Sequence, residues 1–205
     1  MKYGLFENGV DSFKAAFNSI KKIKADPEYH HYKDAILSIN HANEVLFKYI
    51  LKEKLELLIF SDINSYIKAK GKLKNSGKRN VLEVDNTLKT VNIIDAINRL
   101  KDLCDVEVNE AFHNSVLYLN NLRNKIMHYE IDLTEEEVSK MHHNLLICYE
   151  LSIGFLKEHI EGIEDSLENA RYELTDEEIK DMFLDDLDFE VEEWETESLE
   201  IEDPQ

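Results

Sequence analysis

The sequence predicts an all-α protein: a bundle of about five helices over residues 1–162 and an acidic helical or disordered extension over residues 163–205. Three observations carry that expectation. Six Gly and two Pro in 205 residues are too few for the turns of a sandwich or barrel. Hydrophobic side chains, 43% of the chain, recur at intervals of three and four, the period of a half-buried helix. Charge is partitioned: residues 1–129 hold 20 Lys and Arg against 16 Asp and Glu, whereas residues 130–205 hold 4 against 27. The net charge of −19 therefore hides a mildly basic front, and a nucleic-acid ligand, which needs Lys and Arg for its phosphates, is not excluded.

The elements follow in order. Phe13, Ala16, Phe17 and Ile20 share one face of a first helix over about residues 10–24. Asp26 caps a long second helix with Pro27 in its first turn, reaching Leu58 along Ile36, Ile39, Ala42, Leu46, Tyr49 and Ile50. The signal weakens over residues 61–89, where Gly71, Asn75-Ser76-Gly77 and a basic run suggest an exposed loop or two short pieces. Thr90 or Asn92 starts a third helix over residues 93–103, and a fourth runs over about residues 107–126. Thr134-Glu135-Glu136-Glu137 is a capping box opening a fifth, with Val138, Met141, Leu145, Cys148, Ser152, Leu156 and Ile160 as its stripe. Leu174 to Ile179 repeats that helix-start pattern, and the acidic run after Asp185 is punctuated by Leu187, Phe189, Val191 and Trp194.

No apolar run approaches the roughly 20 residues that span a bilayer, and no secretory leader follows the first residues, so a cytoplasmic protein away from membranes is expected. Cys104 and Cys148 lie in apolar helical contexts and read as small core residues of a reducing compartment, not as a disulfide. Neighbours on a helix point about 100° apart, so the doublets His30-His31 and His142-His143 are poor metal clamps. With no Cys-x-x-Cys, His-Glu-x-x-His, glycine-rich phosphate loop or nucleophile elbow, neither metal nor cofactor is expected.

One stretch stands apart: Leu122-Arg123-Asn124-Lys125-Ile126-Met127-His128-Tyr129 closes a long amphipathic helix. It resembles the Arg-x4–6-His signature of the HEPN superfamily, in which a polar residue commonly follows the Arg. Independently, His41-Ala42-Asn43-Glu44-Val45-Leu46-Phe47-Lys48-Tyr49-Ile50-Leu51 is similar to an early helix of that superfamily, and Thr90 to Leu100 resembles the segment before its motif helix. The resemblance covers roughly residues 27–160. It implies a HEPN-like helical bundle, a homodimer with two motifs facing one cleft, and metal-independent RNA cleavage in a toxin–antitoxin or antiviral-defence setting. The RNA (a transfer or messenger RNA) and an antitoxin or defence-complex protein are the implied partners.

Arg123 and His128 are the catalytic residues on this reading, with Asn124 beside them. Cutting RNA without a metal needs a base for the 2′-hydroxyl, an acid for the leaving 5′-oxygen and positive charge on the phosphorane. An unperturbed imidazole titrates near pH 6.5 and serves as base or acid, and a guanidinium grips two phosphate oxygens. Five residues turn an ideal helix by about 140°, so the two side chains share a site only if His128 sits where the helix frays. The structural alternative is the macrodipole, which favours Arg and His at a helix C-terminus by about 0.3–1 kcal/mol each.

The supporting residues are fewer. Glu44 and Lys48 are spaced as an i,i+4 helix pair, and the resemblance also allows Glu44 to orient the catalytic groups. His41 reads as packed or exposed. Tyr129 directly follows His128, one position short of the His-x-Tyr of toxins paired with a nucleotidyltransferase. Lys70, Lys72, Lys74, Lys78 and Arg79 form either an RNA-backbone contact or a solvated linker, without aromatic residues for base stacking. The acidic extension is a solubilising tail or an anionic decoy for the phosphate cleft. The alternative to an enzyme is a non-catalytic HEPN module that binds a partner protein.

Overall fold

A computed structural model describes residues 3–171. Eight α-helices make up its regular structure: α1 (Leu5–Ala25), α2 (Tyr29–Lys54), α3 (Ile63–Leu73), α4 (Val81–Val84), α5 (Ile93–Leu103), α6 (Glu110–His128), α7 (Glu135–His159) and α8 (Ile163–Asn169). A 3₁₀ turn over Glu56–Ile59 follows α2. No strand occurs among the described residues, only a single bridge between Phe60 and Thr90.

The all-α bundle is as the sequence predicts, but eight helices replace the expected five. Two of the additions, α3 and α4, are the short pieces of the 61–89 region. Asp62 and Asn80 cap them, accepting from backbone N–H groups one turn on. The third, α8, begins beyond residue 162. Gly162 adopts φ 72°, a left-handed turn that favours glycine, and α8 folds back on α1, where Lys14 Nζ donates to the Leu167 carbonyl at 3.1 Å. The compact unit accordingly extends to Ala170. The segments 174–179 and 185–205, including the proposed decoy, lie outside the described residues.

Two boundaries move for local reasons. Pro27 precedes α2 instead of entering it, because a proline pushes the residue before it into extended backbone; Asp26 has φ −150° and ψ 103° and closes α1. The second helix stops at Lys54, not Leu58, as the chain tightens into the 3₁₀ turn.

The central element is α2, which packs against α1, α5, α6 and α7. Gly9 makes the α1 crossing close: a Cβ there would lie 2.4 Å from Leu46 Cγ. On another side Phe47 meets Phe112 of α6 and Phe155 of α7, with ring centroids 6.0 and 5.6 Å away. Asn43, 1% exposed, donates across to Ser152 Oγ of α7 at 2.8 Å, so one of the polar residues buried in α2 is tied to its neighbour. Phe47 opposes the first turn of α6, whereas Ile126 near its end shares a groove with Tyr32 and Ile36. The two helices are thus antiparallel, and the end of α6 meets the start of α2.

Candidate functional site

The motif occupies the last two turns of α6. Leu122 is buried and anchors this end; Arg123 is half-buried, and Asn124 and His128 are exposed. His128 is the last helical residue, and the Tyr129 N–H still bonds the Lys125 carbonyl at 2.9 Å. The helix therefore does not fray before His128, and the expected swing of the imidazole toward Arg123 does not occur.

Asn124 supplies a different link. It precedes His128 by four residues, about 40° around the helix, so the two share a face. Its Oδ1 accepts from Arg123 Nη1 at 3.0 Å, which draws the guanidinium around the helix toward that face. The chain thus presents a guanidinium, an amide and an imidazole along the exposed end of α6. No hydrogen bond joins Arg123 to His128 among the described residues.

The supporting candidates lie elsewhere. Glu44 and Lys48 form the i,i+4 pair at 2.6 Å, and Lys48, 6% exposed, also donates to Thr90 Oγ1 at 3.1 Å, tying α2 to the entry of α5. They flank Phe47, which meets Phe112; sixteen residues of helix, about 24 Å, separate Phe112 from His128. The structure does not bring Glu44 or Lys48 to the motif. His41 is exposed, with Nε2 3.2 Å from Asn8 Oδ1 of α1. Tyr129 follows the helix and is 80% exposed.

The basic segment is also remote. Lys70 pairs with Glu56, Arg79 Nε meets Glu83 Oε1 at 3.0 Å, and Lys78 Nζ donates to the Glu83 carbonyl at 2.9 Å. Lys72 and Lys74 are exposed. The carboxyl of Glu56 sits below its ordinary range: burial raises it, but hydrogen bonds from Lys70 and Tyr66 outweigh that. This segment adjoins the far end of α2, a helix about 39 Å long, while the motif adjoins its start.

At the same end of the molecule a groove of about 490 Å³ lies between the start of α2, the end of α6 and the first turns of α7, with Ile126 as its α6 wall. Tyr32, Ile36, Ile126 and Met141 contribute its apolar walls, and His30, Lys33 and Asp132 its charged or titratable groups. Burial pushes the Tyr32 phenol up, so it stays protonated at neutral pH. From the sequence Ile36 and Met141 read as core stripe and His30 as part of a weak doublet, not as a common site. The available signal was the dense Tyr29-His30-His31-Tyr32-Lys33 run at a helix start.

Among the described residues no three His, Cys, Asp or Glu side chains are grouped as a metal ion would require, and no helix is long and apolar enough to cross a membrane.

No family model, curated protein or solved structure matches this chain.

Proposed function

We propose that the protein is a metal-independent endoribonuclease of the HEPN type, a toxin or antiviral-defence effector acting as a homodimer. The observation that supports this most is the exposed end of α6, where Asn124 turns the Arg123 guanidinium onto the side of the helix that carries His128. Asn124 and His128 are both open to solvent, where a substrate or a second copy can reach them.

One copy is insufficient, because the reaction needs one imidazole as base and another as acid, and each chain brings a single His128 to the site. Two copies related by a two-fold axis, the commonest oligomeric symmetry, would oppose the two motifs and place a guanidinium and an imidazole on each side of a phosphodiester. One imidazole takes the proton of the ribose 2′-hydroxyl, and its oxygen forms a bond to phosphorus. The bond from phosphorus to the 5′-oxygen breaks, and the second imidazole, protonated, supplies a proton to that oxygen. The guanidinium groups hold the charge of the phosphorane. The products are a 2′,3′-cyclic phosphate and a 5′-hydroxyl end.

The test is incubation of the full chain with total RNA and transfer RNA in chelator. Wild type should cut. Arg123→Ala and His128→Ala should each lose cutting by about a hundredfold or more while keeping the wild-type circular dichroism spectrum. Equal cutting by the His128→Ala protein removes the assigned site.

A further inference from the structure

Beside the motif, the groove combines three features that a nucleotide would use together. Its walls are apolar and aromatic: Tyr32, Ile36, Ile126 and Met141 line it, and Tyr29 stands at it 80% exposed, a free ring on which a base can stack. Its α2 wall is cationic or titratable, from His30 and Lys33. The first turn of α2 holds no acidic residue, and the Glu28 carboxylate at its N-cap does not bond the helix's free N–H groups. On the other side stands Asp132, four residues beyond His128, in the connection between α6 and α7. Its carboxylate has no hydrogen-bond or ion-pair partner among the described residues.

An apolar occupant, including a hydrophobic face of a second copy, would leave Asp132 and Lys33 at the rim of the groove without a partner. A nucleotide answers each group: phosphate for Lys33 and His30, an aromatic face for the walls, polar base edges for Asp132. The volume falls in the range of about 300–1,000 Å³ usual for small-ligand sites.

Asp132 also selects among bases. A carboxylate only accepts hydrogen bonds, and two parallel ones require two adjacent donors. Guanine presents such a pair, N1–H beside the N2 amino group. Adenine and cytosine set one amino group beside an acceptor nitrogen, and uracil sets one N–H between two carbonyls. We propose that this groove is a guanine-selective nucleotide subsite in which Asp132 reads the base and Lys33 the phosphate. Its role as a specificity pocket for the RNA around the cut rests on the ribonuclease reading.

The experiment is calorimetric titration of the full chain with GMP, AMP, CMP and UMP, beside Asp132→Asn and Lys33→Ala, both at exposed positions. Wild type should bind GMP about tenfold or more tightly than the other three. Asp132→Asn replaces one acceptor by a donor and should weaken GMP by a similar factor while leaving AMP unchanged or improved. Lys33→Ala should weaken all four alike. Equal binding of the four nucleotides, absence of binding because a second copy closes the groove, or a guanine preference that survives Asp132→Asn each overturns the proposal. RNA cut without regard to guanine would overturn the specificity pocket and leave the ribonuclease standing. Selective GMP binding by a chain that cuts no RNA would keep the subsite and remove the ribonuclease.

Discussion

At Cys148 the surroundings of one side chain decide its chemistry. Burial pushes the thiol up to about 11, against smaller opposing contributions from Ser115, Ser152 and Asn43. Cys104 is only half-buried at the end of α5, although burial raises its thiol as well. Ellman's reagent should therefore titrate Cys104 in the native protein and reach Cys148 only after denaturant is added. Equal native rates would contradict the packing of α7. That both cysteines are free, and that Cys148 is a core residue, was legible from their apolar neighbours; Cys104 instead lies at the edge of the core. The orientation of Arg123 was not, because it depends on a contact between adjacent side chains, Arg123 to Asn124, that residue spacing does not encode.

Among the elements, the junctions make the sharpest demands. Leu46 already occupies the space beside Gly9, so Gly9→Ala should lower the free energy of unfolding by about 1–3 kcal/mol, measured by urea titration. A neutral or stabilising result would mean that α1 and α2 separate easily. The capping box of α7 gives a pH dependence of known sign. Backbone and side-chain hydrogen bonds from Thr134 hold the Glu137 carboxyl below its ordinary range. A lowered folded value means that this stabilisation is present above the unfolded value of about 4.3 and is lost as pH falls through the folded one. The urea midpoint should exceed that of Glu137→Gln near neutral pH, and the gap should close as pH falls below the unfolded value and through the lowered folded one. A constant gap would contradict the assignment. This cap and the α5 span were readable from sequence, since local side-chain chemistry sets both. α3 and α4 carry only short apolar patterns, such as Tyr66 and Ala69, and their burial depends on contacts distant in sequence.

Across the whole molecule, the antiparallel packing of α2 and α6 sorts the sequence candidates into two ends. Arg123, Asn124, His128 and the groove with Asp132 lie at the start of α2; the basic segment of Lys70 to Arg79 lies beyond its far end. That separation was illegible in the sequence, because it follows from which helices pair and in what direction. On the proposed function substrate would bind at the motif end, and Glu44 and Lys48 are left to hold α2 against the entry of α5. Because the reaction uses two imidazoles and each copy supplies one His128, the account requires the reacting groups to come from two copies. The most direct measurement mixes wild-type protein with rising proportions of His128→Ala protein, after exchange of subunits. The account predicts that RNA cutting falls with the square of the wild-type fraction, because a heterodimer holds a single imidazole at the site. A fall in simple proportion to the wild-type fraction, with heterodimers formed, would contradict it.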